Sequence, residues 1–209
     1  MALPAHLTET FMPAEIAFMA EQQLVEIVPR QQLEQLPLIG GTVSRMRPPQ
    51  RAQVPLWLAL LLKRQRRATL VPPDWMASEW LQARLDEEVK TDAEGQPSGF
   101  SKLPLRWLEM SDLILDVAED DIPESNLVKR LLRDLREARQ AKARDGLEVL
   151  EDRILHLDNL GLMEVNELRP LFAKTMDMLR QLTETKAEDE PADDDLMADA
   201  GSQSDDDSD

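Results

Sequence analysis

The stretch that most constrains the fold of this chain is residues 54–76, VPLWLALLLKRQRRATLVPPDWM, where an apolar run, positive charges and a proline pair follow one another with no acidic residue before Asp74. Val54 and Pro55 predict extended backbone, because proline excludes the α region from the residue before it. Residues 56–66 then predict a helix with almost no polar face before Lys63. Such a helix must be covered on most sides, by this chain or by another.

The residues around this helix predict a small α+β unit spanning residues 13–72. Pro13 suits the first position of a helix. Gly40 and Gly41 lack the further glycines or the Gly-Lys-Ser/Thr sequence of a phosphate-binding loop, so we interpret them as a turn. Short runs rich in β-branched residues and bounded by proline or glycine predict strands or strand fragments. These runs lie at residues 24–29, 36–39, 42–47, 54–55 and 69–71.

The patterns that follow predict a larger helical-bundle domain over residues 73–184. The longest helix is expected to begin near Leu127 and to loosen or end at Gly146. A short helix at residues 162–168 is expected to stop before Pro170, which would open the final helix. The predicted fold class is therefore α+β and mainly α, with a β-rich N-terminal domain before the helical domain.

The acidic charge of the chain is concentrated at its C-terminus. The net charge is −17, and residues 184–209 hold 12 acidic residues and one lysine. Because the tail at 185–209 is dense in charge and poor in aromatic residues, it predicts disorder, and residues 1–12 are also expected to be flexible. Ser202 and Ser204 each precede an aspartate by three residues, a spacing that suits acid-directed kinases. A solubilising role for the tail is the alternative.

A basic cluster interrupts this acidic background, because residues 35–73 contain seven basic and no acidic side chains. Basic side chains can bind phosphates, but a stacking platform for bases also needs interleaved aromatic residues, which are missing. We interpret the cluster as a solvated rim or a contact for an acidic partner protein, with a nucleic-acid-binding module as the alternative. Its members are Arg45, Arg47, Arg51, Lys63, Arg64, Arg66 and Arg67.

An enzyme active site is difficult to assemble from these residues. The chain has no cysteine and two histidines, His6 and His156, which excludes disulfides and cysteine-ligated zinc. It also lacks a GxSxG nucleophile motif, and no apolar run reaches the roughly 20 residues of a membrane span. The sequence therefore predicts a soluble intracellular protein that is not an enzyme and uses no metal, cofactor or small-molecule substrate.

Several stretches, taken together and in order, resemble one known family. They are AEIAFMAEQQLVEIVP (14–29), PLIGG (37–41), VPLWLALLLKRQR (54–66), LVPPDWM (70–76), DDIP (120–123) and LDNLGLMEVNELRP (157–170). This set is similar to the Partner of Sld Five two (PSF2) family, whose members are subunits of the GINS complex in eukaryotic DNA replication. The combination of VPLWLA with L-x-PP-x-WM is highly specific for that family.

The resemblance implies a β-rich domain followed by a helical domain, and assembly with three other GINS subunits into a heterotetramer. In the family, this tetramer joins the Mcm helicase ring and Cdc45 in the replicative helicase of the nucleus, where DNA contact is also expected. Its subunits have no catalytic centre. We further expect a helix–helix interface with a partner to be lined by Leu127, Leu131, Arg133, Leu135 and Arg136. The junction between the two domains is expected to be packed by Trp57, Leu60 and Trp75.

Overall fold

The computed structural model describes residues 10–90, 99–148 and 158–189. Predictions that concern residues 1–9, the two segments between these ranges, or the tail beyond residue 189, including Ser202 and Ser204, lie outside the described residues. Within the described ranges, no helix is both long enough and apolar enough to cross a membrane.

The N-terminal domain contains two helices, a three-stranded sheet and a separate β-hairpin, as the sequence patterns predict. Strand β3 is shorter than the predicted 42–47. Ile39 and Gly40 form the hairpin turn, and Gly41, which follows them with a φ of 144°, opens β3. The elements in order are α1 (Pro13–Ala20), β1 (Leu24–Pro29), β2 (Leu36–Leu38), β3 (Gly41–Val43), β4 (Ala52–Pro55), α2 (Leu56–Arg64) and β5 (Ala68–Val71).

The sheet is antiparallel, with the strand order β4-β1-β5. Its register places Val25 opposite Val54 and Ile27 opposite Leu70. All four of these side chains are buried, because alternate residues of a strand point to the same face. The apolar face of the sheet therefore becomes one wall of the protein core.

Helix α2, whose sequence requires cover on most sides, is covered by this chain itself. It packs against all three strands of the sheet on one side and against helix α4 (Trp107–Ala118) of the helical domain on the other. Six of its nine residues are buried, whereas Leu61 is exposed. As a consequence, the two predicted domains share one continuous hydrophobic core.

The helical domain begins with a 3₁₀ turn at Asp74–Met76, and a second 3₁₀ turn at Glu119–Asp121 follows α4. Helix α3 packs along helix α5, and α4 packs both on α5 and on the helices of the N-terminal domain. The α+β, mainly α fold class is thereby confirmed. The remaining helices are α3 (Ser78–Val89), α5 (Ser125–Glu148) and α6 (Leu162–Asp189).

The final helix differs from its prediction. Helix α6 runs without interruption through Pro170 and, with 28 residues, is longer than α5 with 24. A proline inside a helix removes one backbone hydrogen bond and crowds the carbonyl four residues earlier, but it does not always end the helix. The helix also continues to Asp189, beyond residue 184, where the tail was predicted to begin.

The last residues of the segment 1–12, which the sequence predicts to be flexible, make hydrogen bonds with α6 and α1. The side-chain amide of Asn166 on α6 accepts a hydrogen bond from the backbone N–H of Phe11 at 2.8 Å and donates one to its carbonyl at 3.0 Å. The backbone N–H of Met12 donates to the Glu15 carboxylate at 2.9 Å. These contacts fix the chain immediately before α1.

One buried carboxyl in α4 has no good partner. Glu109 is buried, and neither of its carboxylate oxygens accepts a hydrogen bond of good geometry. Burial raises the pKa of Glu109, and the backbone N–H groups of Glu109 and Met163 together with the charge of Arg106 offset this only in part. The folded state therefore disfavours the ionised form of this side chain.

We expect Glu109→Gln to raise the free energy of unfolding at about pH 7.5 by about 1–2 kcal/mol, because the buried amide carries no charge. The pKa of Glu109 in the folded state lies above its ordinary value of 4.5. Ionisation of this buried carboxyl therefore costs the unsubstituted chain no stability below pH 4.5, where the group is protonated in both states. The loss of stability grows as the pH rises through the folded pKa. The gain should therefore shrink on acidification to pH 4.5.

Urea unfolding followed by tryptophan fluorescence at both pH values measures this difference. Glu137→Gln, which changes an exposed side chain of α5, serves as the matched control and should leave the stability nearly unchanged. An equal gain in the free energy of unfolding for Glu109→Gln at both pH values would contradict a raised pKa of Glu109 in the folded state.

Candidate protein-binding surfaces

A buried guanidinium anchors the start of helix α6. Arg139 on α5 is only 1% exposed. Its Nε donates to Glu164 Oε1 at 2.7 Å and its Nη2 to Glu164 Oε2 at 2.9 Å, a bidentate pair. Nη1 donates to Glu88 of α3, and Nη2 also donates to the carbonyl of Asn159 at 2.7 Å. Arg139 thereby connects α3, α5 and α6.

Glu88 completes this group of charges. Its Oε2 accepts from Lys142 Nζ at 2.5 Å, while its Oε1 accepts from the Ser101 N–H at 2.9 Å and from Ser101 Oγ at 2.6 Å. Burial alone would raise the pKa of Glu88, but the contacts with Lys142, Ser101 and Arg139 outweigh it and lower the pKa. Two carboxylates and two cations thus form a neutral cluster, the Arg139 cluster: Glu88, Glu164, Arg139 and Lys142.

Further anchors of α6 fall within the same two turns. The N–H of Leu162 donates to the Leu105 carbonyl at 2.7 Å, and Glu167 accepts from Arg136 at 2.6 Å. Gly161 lies so close to Trp107 that a Cβ atom there would be 3.1 Å from the indole nitrogen. The first turns of α6 are therefore held in one position by several independent contacts.

Beyond these anchors α6 leaves the core. No described side chain between residues 167 and 181 is buried. Leu171 is 46% and Met178 is 65% exposed, and both lie seven residues apart on one side of the helix. Phe172 and Met176 are half-buried on the adjacent stripe. We call Leu171, Phe172, Met176 and Met178 the α6 face.

A second apolar surface lies in the N-terminal domain. A groove of about 630 Å³ separates the β2–β3 hairpin from the start of α2, and its lining residues include Leu24, Ile39 and Trp57. Leu24 and Ile39 are exposed. The lining contains no charged residue and belongs entirely to the N-terminal domain, so Trp57 borders this groove in addition to packing on the core.

Leu60 and Trp75, the other two residues expected at the domain junction, both contact the shared core. Leu60 is buried in the shared core, and Trp75 is half-buried against it. Their role in holding the two domains together stays a prediction.

The predicted partner interface on α5 is wrong for two of its residues. Leu131 and Leu135 are fully buried within this chain, where they line the packing of α5 and leave no surface for a partner. Leu127 is half-buried, and Arg133 is exposed. Arg136 is engaged by Glu167.

The basic cluster is not one continuous surface. Lys63 is only 8% exposed and contacts Asp120 at 2.8 Å and Asp121 at 2.7 Å. Burial alone would lower the pKa of Lys63, but its hydrogen bonds with these two aspartates raise it. Arg45, Arg51 and Arg64 contact Glu34, Glu26 and Asp116, respectively, at 3.3, 3.2 and 3.7 Å. Among the described residues, Arg47, Arg66 and Arg67 make no salt bridge.

The sequence analysis does not predict that Arg139 and Lys63 are buried, although the sequence contains a signal for both. Arg139 follows Leu131 and Leu135 at four-residue spacing, so it occupies the buried stripe of α5. Lys63 continues the buried stripe of Leu56 and Leu60, because it follows Leu60 by three residues on the same side of α2. A cation within an apolar stripe predicts a buried partner, but the sequence does not reveal which carboxylate supplies it.

Comparison with known proteins defines the class of this chain. Residues 75–183 match the family described as the GINS complex protein helical bundle domain. Residues 12–71 match the family described as the PSF2 N-terminal domain. The chain therefore belongs to the PSF2 family of GINS proteins.

Relatives from several yeasts are similar over nearly their whole length. The DNA replication complex GINS protein psf2 of Schizosaccharomyces pombe is 45% identical over 188 residues, which cover 90% of this chain and 100% of that protein. The PSF2 protein of Debaryomyces hansenii is 41% identical over 88% of both chains. That of Candida albicans is 39% identical over 88% of this chain and 89% of the relative.

Arg139→Ala should lower the free energy of unfolding by about 3–5 kcal/mol, because it leaves Glu88 and Glu164 buried with less compensating charge. Arg133→Ala removes the same side chain from an exposed position of the same helix and should change stability by no more than about 0.5 kcal/mol. Urea unfolding of both variants measures the difference. Similar losses for the two arginines would show that the Arg139 cluster does not hold the helices together.

Proposed function

We propose that this chain is a non-catalytic structural subunit of the GINS complex. In this proposal it assembles with three related subunits into a heterotetramer. The tetramer joins the Mcm ring and Cdc45 in the replicative helicase of the nucleus, for the initiation and elongation of DNA replication. Family membership and the names of the relatives, each a DNA replication complex GINS protein, support the assignment to this complex.

The observation that best supports a structural role is the exposure of the apolar side chains of the α6 face. A single chain that exposes an apolar stripe on a helix leaves surface that another protein can cover. Burying one leucine or methionine side chain contributes about 1.5–3 kcal/mol. The described side chains of α6 beyond residue 166 are not buried in this chain, so this helix is the best candidate for contact with a sister subunit.

A nucleic-acid-binding module is the weaker alternative for the basic cluster. Four of its seven members already contact carboxylates of this chain, which reduces the charge available to phosphates. Arg47, Arg66 and Arg67 remain for contact with DNA within the assembly.

Exchanging Leu171 and Met178 together for glutamine should disrupt the four-chain particle, because two exposed apolar anchors become polar while the core of this chain is untouched. The chain is co-expressed with the three other subunits, and size-exclusion chromatography then shows whether all four elute together. Circular dichroism of the variant checks that its helices persist.

Lys174→Gln provides the matched control, since it changes an exposed side chain of the same helix without removing apolar surface. We expect this variant to assemble as the unsubstituted chain does. Unchanged assembly of the Leu171→Gln, Met178→Gln double variant would exclude the α6 face as the interface.

A further inference from the structure

A groove at the junction of the two domains combines an apolar wall with an acidic rim. It has a volume of about 780 Å³ and lies between the chain after β5, the first turn of α3 and the start of α5. Pro72, Pro73, Met76, Ile122 and Leu127 form its apolar wall. We call it the junction groove.

All of the charged residues that line the junction groove are acidic: Asp74, Glu79, Asp121 and Glu124. Asp121 is neutralised by Lys63 at 2.7 Å. Glu124 accepts a hydrogen bond from Ser78 Oγ at 2.9 Å, which leaves its charge in place. Asp74 and Glu79 are exposed and have no side-chain partner among the described residues.

Three negative charges therefore remain uncompensated beside an apolar wall. The N-termini of α3 and α5 also meet here, but each helix end supplies only about half of one positive charge. A cleft lined by one sign of charge and by low-dielectric walls concentrates ligands of the opposite sign. The complementary ligand carries positive charges around an apolar side chain.

We propose that the junction groove binds a peptide segment of a partner protein in which apolar residues are flanked by lysine or arginine. The apolar residue packs on Leu127 and the neighbouring prolines, and the cations lie against Asp74, Glu79 and Glu124. This contact lies outside the α6 face and does not depend on it.

Fluorescence anisotropy tests the proposal with three labelled peptides and the purified co-expressed complex, or the full chain if it purifies alone. The first peptide has two leucines flanked on both sides by lysine and arginine. In the second, serines replace the leucines, and in the third, glutamates replace the cations. We expect the first peptide to bind, and the other two to bind about tenfold more weakly or not at all.

The paired substitution Asp74→Asn, Glu79→Gln should weaken the first peptide about tenfold, because it removes two rim charges with little change of shape. Asp134→Asn, Glu137→Gln removes two charges from α5 outside the groove lining and should leave the affinity within about twofold. Size-exclusion chromatography of the same samples shows separately whether the four chains assemble. A loss of assembly is therefore distinguishable from a loss of peptide binding by the junction groove.

Three results would overturn the proposal. The first is an absence of binding by the leucine-containing basic peptide to folded protein. The second is equal binding of the serine peptide, which would indicate charge attraction alone. The third is an equal effect of the rim and control substitutions, which would place the bound peptide elsewhere.

Discussion

The packing of helices α3, α5 and α6 against one another depends most on one buried guanidinium, that of Arg139. Removing an ion from water costs several kcal/mol even after the protein relaxes, and Arg139 is stable in the interior because Glu88 and Glu164 face it from two other helices. Lys142 balances the second carboxylate. A shift of any one helix would leave a buried charge without its partner. The Arg139 cluster therefore acts as a geometric constraint, since few arrangements of α3, α5 and α6 satisfy all four charges.

A similar constraint joins the two domains. Helix α2 lies between the sheet and α4, and the ammonium group of Lys63 contacts two aspartates of the 3₁₀ turn that follows α4. Asp121 also accepts a hydrogen bond from the N–H of Leu70 at 2.8 Å. That N–H belongs to the edge strand β5, whose unpaired groups would otherwise need another partner. The two domains are therefore joined by charge and backbone contacts as well as by their common core.

The sequence predicted most of the helices and strands because their signals are local. The alternation in β1 and the apolar spacing in α3 and α5 are each contained within a few turns of backbone. The failures involve residues whose partners are distant in the chain: Glu88 and Glu164 lie 51 and 25 positions from Arg139. The predicted helix boundary at Pro170 is wrong for a related reason. Distant contacts made by Glu164 and Asn166 stabilise the turns before Pro170, and the helix continues through it. The exposure of the α6 face likewise depends on where the helix leaves the core, which the local spacing of its apolar residues does not specify.

The pairing of Phe11 with Asn166 bears on how the chain reaches this structure. The two residues are 155 positions apart, and closing a flexible loop of that length costs about 4.5 kcal/mol of chain entropy by the usual logarithmic dependence. Two hydrogen bonds do not offset such a cost by themselves, so they form after the sheet and the helices have brought both ends together. We therefore expect the pairing of Phe11 with Asn166 to form late in folding. Because it consists of two hydrogen bonds on an otherwise exposed segment, we also expect it to open before the core does.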